Sequence, residues 1–254
     1  GKINKIINGA TDWVYEEEFS IHKGFEWSPD GKKLAYYVFD ETDVKEFQMK
    51  MYGTLYPTHY KFKYPKAGED NSLISIRIFD TQYDRHFVFD VGNNPDIYIP
   101  RIMWSKRRDE LIVFKMNRLQ NKLELLSGTF SMDTPNNIGI KTKPIYTEKC
   151  TTYIDIPDNT SFINENEFIW TSEKDGYNHI YLINYANGTE KQLTSGDWDV
   201  TEVYGYASQS KKIFFQAAKL HPTKREIYAL YTKNNKLELL TEKSGTNEAN
   251  FSKT

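Results

Sequence analysis

His179-Ile180-Tyr181-Leu182-Ile183 recurs as Glu226-Ile227-Tyr228-Ala229-Leu230, 47 residues further on. Gln192-Leu193-Thr194 recurs as Leu239-Leu240-Thr241 at the same offset. A period of this size is what a four-stranded β-propeller blade occupies, each blade burying its faces against the next. Composition agrees with strands: 18 Tyr, 15 Phe and many β-branched residues are present, and no stretch sustains a helical period.

Further copies use the same grammar. Trp27-Ser28-Pro29-Asp30-Gly31-Lys32-Lys33-Leu34-Ala35-Tyr36 reads as strand, tight turn, strand, with Pro and Gly setting the turn. Trp104-Ser105-Lys106-Arg107-Arg108-Asp109-Glu110-Leu111 repeats it 77 residues later, and the surplus over one blade places an insertion at 52–68, rich in Tyr, Pro and Lys. Phe162 to Trp170 and Tyr206 to Phe215 read as two more strand-turn-strand units. At about 45 to 50 residues each, about five four-stranded blades fit this length. They would form either a small closed propeller or an arc of a larger one. The arc is favoured, because the chain stops at Phe251-Ser252-Lys253-Thr254, where another strand ought to begin.

With 254 residues and 39% hydrophobic content the chain can bury a sizeable core in one large or two small domains. Lys and Arg total 33 against 35 Asp and Glu, so the overall basic field used for nucleic-acid binding is missing. Cys150, the single cysteine, reads as a buried small residue, with no Cys/His cluster around it for zinc. No apolar run approaches the roughly 18 to 20 residues of a membrane helix.

One segment admits a functional account beside a structural one. In Thr11-Asp12-Trp13-Val14-Tyr15-Glu16-Glu17-Glu18-Phe19 three successive carboxylates follow aromatic residues just before the Trp27 module. Adjacent like charges repel, so such a cluster is either a solvated acidic turn or faces a cation such as Arg, Lys, a metal or a ligand ammonium. A run of neighbouring carboxylates lacks the spaced oxygen ligands of a calcium loop. Successive residues on a flat strand point to opposite faces, so Glu17 and Glu18 can converge only on a short helical turn, expected over Tyr15 to Ser20.

Asp12-Trp13-Val14-Tyr15-Glu16-Glu17-Glu18, Trp27-Ser28-Pro29-Asp30-Gly31 and Tyr64-Pro65-Lys66-Ala67-Gly68 resemble, in order, the propeller domain of the dipeptidyl peptidase IV family, within the prolyl oligopeptidase group of serine proteases. Ser172 to Tyr181 and Gln192 to Val200 continue the resemblance over nearly the whole chain. It implies an eight-bladed propeller capping an α/β-hydrolase domain, in an exopeptidase that releases N-terminal Xaa-Pro or Xaa-Ala dipeptides. By resemblance, Glu17 and Glu18 bind the substrate α-ammonium, Tyr153 is a pocket-lining aromatic, and Glu16 matches the string without the binding role. No cofactor and no metal are implied. An arm between Phe47 and Lys66 would contribute to a homodimer, its alternative being a long hairpin folded onto its blade. Location would be periplasmic, secreted or cell-surface.

The chemistry suits the residues. A peptide α-amine titrates near 7.7 to 8.0, so it is largely a cation at neutral pH. An ion pair at ~4 Å is worth about 4 kcal/mol at an effective dielectric of ~20, before desolvation is subtracted. Two extended residues span roughly 7 Å, so a fixed ammonium clamp measures off the second peptide bond. The nucleophile is missing: no Gly-x-Ser-x-Gly elbow is present, and His22, His59, His86, His179 and His221 lie scattered without Ser and Asp partners. The segment 1–254 is therefore expected to be a substrate-selecting propeller fragment without the hydrolase domain or the triad. From a different class, a non-catalytic propeller binding a protein or peptide remains the alternative.

Overall fold

The computed structural model describes residues 5–105, 110–134 and 137–252. Backbone proximity gathers the chain into two compact units, Gly1–Pro144 and Ile145–Thr254.

In the first unit β3 (Lys33–Asp40) is the centre of a sheet. On one side it pairs with β6 (Leu73–Asp80), which pairs with β7 (Arg85–Phe89). Its other side is shared by two short strands, β1 (Ile6–Asn8) beside residues 38–40 and β2 (Phe25–Trp27) beside 34–36. One edge strand is thus cut in two by an excursion over residues 10–23, which carries the helix α1 (Trp13–Phe19). Tyr37 closes the neck: its carbonyl accepts from Gly9 N–H and its N–H donates to the Gly24 carbonyl, both at 2.9 Å. A Cβ on Gly24 would lie 2.9 Å from the backbone of Ala10, so the two legs pass at a separation that only glycine permits.

Three further sheets are antiparallel meanders in chain order. They comprise β8 (Ile97–Trp104), β9 (Glu110–Asn117), β10 (Lys122–Thr134) and β11 (Asn137–Lys149); β12 (Ser161–Phe162), β13 (Glu167–Ser172), β14 (His179–Asn184) and β15 (Glu190–Gln192); and β16 (Val200–Ala207), β17 (Lys212–Ala217), β18 (Glu226–Tyr231) and β19 (Leu237–Leu239). Four strands in sequence order are the build of a propeller blade. The 47-residue repeat falls on β14 and β18, the third strand of each of the last two sheets.

Among the described residues the strands make one five-stranded and three four-stranded sheets, the nearly all-β build expected of a propeller arc. The insertion forms its own pair: β4 (Glu46–Met51) and β5 (Thr58–Lys63) pair only with each other, as a two-stranded ribbon inserted between β3 and β6.

The Trp27 module owes its turn to local bonds. Asp30 accepts from Ser28 Oγ at 2.7 Å and Lys32 N–H at 3.1 Å, and Gly31 takes φ +70°. These donors hold the Asp30 carboxyl below its usual range. Ser28 N–H reaches the Lys33 carbonyl, as Ser105 N–H reaches Glu110 in the second copy, whose residues 106–109 lie outside the described ones.

Alternation buries one row of side chains per strand. In the second unit Ile169, Ile180, Trp198, Val203, Phe215 and Tyr228 belong to one apolar cluster joining the last two sheets. His179 is fully buried there, with Nδ1 on Thr194 Oγ1 at 3.1 Å and Nε2 on the Gly196 carbonyl at 2.9 Å, a structural histidine. Cys150 departs from expectation: it is half-exposed, because it sits in the loop after β11, with Sγ 3.2 Å from Thr152 Oγ1.

Candidate ammonium-binding site

The acidic string is helical, as expected, and the helix begins two residues before the expected turn. Asp12 is the reason. In extended conformation (φ −79°, ψ 175°) it caps the helix, one carboxylate oxygen accepting from Tyr15 N–H at 2.9 Å and the other from Ser72 Oγ. Burial raises the Asp12 carboxyl above its ordinary range, and those two donors partly offset the shift. At the far end Ser20 turns left-handed (φ 53°, ψ 35°) and stops the helix. Arg101 of β8 donates Nη1 to the last helical carbonyl, Phe19, at 2.8 Å, a cation placed at the negative end of the helix.

The helix is anchored by its inner face. Tyr15 and Phe19, four residues apart, are buried against the rings of Tyr37, Phe39 and Tyr98. Tyr15 Oη accepts the buried N–H of Ile99 at 2.9 Å, and burial pushes the phenol pKa far up. At about 100° per residue, Glu17 then lies opposite this face and Glu16 and Glu18 lie on its two flanks. All three are exposed.

Their partners differ. Glu16 stands 3.9 Å from His22 Nδ1, with both side chains largely in solvent. Glu18 accepts from Gln120 Nε2 at 2.7 Å, from the turn between β9 and β10. Glu17 has no polar partner among the described residues. Two neighbouring carboxylates, one held and one unpaired, can together accept the N–H groups of one small cation. Among the described residues no three His, Cys, Asp or Glu side chains gather as a metal site, and no helix is long and apolar enough to cross a membrane.

The ribbon stands beside the helix start. Trp13 meets Tyr64 edge-on at 4.2 Å between centroids, and with Phe47, Met49 and Phe62 these rings line an apolar pocket of about 580 Å³. Toward the ribbon tip Tyr52, Leu55 and Tyr56 are three-quarters exposed or more.

Glu17 and Glu18 are successive exposed residues of α1. Tyr153 belongs to the second unit, half-exposed on the wall of a cavity of about 590 Å³ that Cys150, Asp155, Glu173 and Lys174 also line. Burial, then the charges of Asp155 and Asp199, raise the Glu173 carboxyl. Sequence reasoning misses Gln120, Arg101 and Ser72, which hold α1 from positions distant in sequence. Only Asp12, a capping residue type directly before an aromatic run, left a local signal.

The whole chain, residues 1–254, matches the family described as dipeptidyl peptidase IV (DPP IV) N-terminal region. It is 28% identical to dipeptidyl peptidase 4 of Arthroderma otae over 240 residues, which are 88% of this chain and 30% of that protein. It is 31% identical to prolyl endopeptidase FAP of Bos taurus over 249 residues, 91% of this chain and 32% of that protein. The crystal structure of Porphyromonas gingivalis dipeptidyl peptidase 4 superposes with a TM-score of 0.87 at 38% identity, covering 98% of this chain and 35% of that one. The chain therefore spans about a third of the length of these relatives.

Proposed function

The chain belongs to the dipeptidyl peptidase IV N-terminal region family, and on that premise we propose that it is the substrate-selecting propeller portion of a serine exopeptidase releasing N-terminal Xaa-Pro and Xaa-Ala dipeptides. Glu17 and Glu18 bind the substrate α-ammonium, Tyr153 lines the pocket, and an α/β-hydrolase domain in cis supplies the nucleophile. The unpaired carboxylate of Glu17, held one residue from Glu18 on an anchored helix, is the observation that carries this assignment. An internal peptide segment brings no cation to that position, so the site favours free N-termini.

Both carboxylates are exposed in this chain. An ion pair in open solvent is worth about 0 to 1 kcal/mol, whereas the same pair under a covering domain gains several-fold. The segment alone is accordingly expected to show no turnover and only weak amine binding. The parent protein is expected to release intact dipeptides from a peptide with Pro at its second position, read by mass spectrometry. Release of single residues or internal fragments would contradict the assignment.

The exposed ribbon tip suits a homodimer contact, because Tyr52, Leu55 and Tyr56 offer apolar area that no described residue covers. Leu55→Asp with Tyr56→Asp should shift the parent protein toward monomer in analytical ultracentrifugation, and an unshifted profile would exclude the arm. Phe62 is a poorer probe, being packed among Phe47, Tyr60 and Tyr64 at the ribbon base. A periplasmic, secreted or cell-surface location is part of the same proposal and is read by cell fractionation.

A further inference from the structure

The two carboxylates of the clamp are not equivalent. Glu18 is held by a side chain from a different sheet, and Glu17 is left to adapt. A carboxylate can only accept, so the Gln120 amide must turn its NH₂ toward Glu18. The carbonyl Oε1 of that amide is buried with no partner among the described residues, which leaves the bond to Glu18 as the amide's one polar anchor.

The backbone beneath it is shaped for this. Gln120 has φ +54°, a left-handed conformation that costs a non-glycine residue roughly 1–2 kcal/mol. The turn tolerates it because Asn117 closes the loop. Its Oδ1 accepts from the N–H groups of Asn121 at 3.1 Å and Lys122 at 2.9 Å, and its carbonyl accepts from Gln120 N–H at 2.9 Å. The neighbouring Arg118 pins the same turn from outside, donating Nη2 to the Glu69 carbonyl at 2.8 Å and Nη1 to Asp96 at 3.1 Å. Glu69 is also paired with Lys45, so its carbonyl sits where the two ends of the ribbon segment meet.

We propose that Gln120 is a positioning residue for the ammonium clamp: it fixes the Glu18 carboxylate, while Arg118 holds the turn to the ribbon base. The inference rests on the ammonium role of Glu17 and Glu18. Fixing one acceptor in advance lowers the ordering cost when substrate binds, and it does so before chemistry, so its loss falls on KM.

The test uses the parent protein with Gln120→Met, which keeps length and packing but removes the donor, and Gln120→Glu, which sets a second carboxylate against Glu18. Each is compared with Glu17→Ala and Glu18→Ala on a free Xaa-Pro-amide. Gln120→Met is expected to raise KM about tenfold, the lower range for a hydrogen bond to a charged group, with kcat nearly constant. Gln120→Glu is expected to raise KM further. Affinity for a competitive inhibitor lacking an amine should stay unchanged in both, which a general loosening of the fold would not allow. Sensitive Glu18→Ala beside an indifferent Gln120→Met would overturn the positioning role and leave the ammonium role standing. Indifferent Glu17→Ala and Glu18→Ala would overturn both.

Discussion

Replacing Glu17 or Glu18 by Ala in the parent protein is expected to lower kcat/KM on a free Xaa-Pro-amide at least about a hundredfold, a loss of roughly 2.7 kcal/mol. The magnitude follows from the missing third party. Once an ammonium is enclosed, removing one of its two acceptors leaves an underpaired buried cation, and that costs more than the exposed pair is worth in open solvent. Glu16→Ala is expected to change little, since Glu16 lies on the other flank of α1 and faces His22. Steady-state kinetics on the three variants separates the roles. An equal effect at all three positions would mean that only the summed negative charge matters.

Tyr15→Ala carries the largest expected effect on stability. Tyr15 is fully buried, packs on Phe19, Phe39 and Tyr98, and offers Oη to Ile99 N–H. Emptying such an aromatic site costs about 3–5 kcal/mol. Tyr15→Phe keeps the packing but leaves the buried Ile99 N–H without its acceptor, at about 1–3 kcal/mol. Urea denaturation should rank wild type, Tyr15→Phe and Tyr15→Ala in that order. If Ala and Phe cost the same, the hydrogen bond and not the packing would be what anchors α1.

Local chemistry made part of this site legible in the sequence. Convergence of Glu17 and Glu18 on one cation would exclude a flat strand, and the string is indeed helical, reaching back to Trp13 because Asp12 can cap it. Alternation and the 47-residue repeat likewise place β14 and β18. What stays illegible is long-range. Arg101 and Gln120 reach α1 from positions about 80 and 100 residues downstream. Nothing in Asn117-Arg118-Leu119-Gln120-Asn121 announces which helix its amide will meet. The role of the insertion is illegible for a related reason: Tyr- and Lys-rich alternation reads as strand whether the strand joins a blade or, as in β4 and β5, pairs only within a ribbon. Cys150 departs from burial because residue type biases exposure without fixing it.

The proposed function stands on Glu17 and Glu18 recognising a positive charge at the substrate N-terminus. Acetylating that amine removes the charge and leaves the scissile bond intact. The most direct measurement is kcat/KM of the parent protein on a free Xaa-Pro-amide against its N-acetylated form. Cleavage of the free amine with the acetylated form slower by at least about a hundredfold is the result expected. Equal cleavage of both would contradict the claim and return the three carboxylates to a solvated acidic turn.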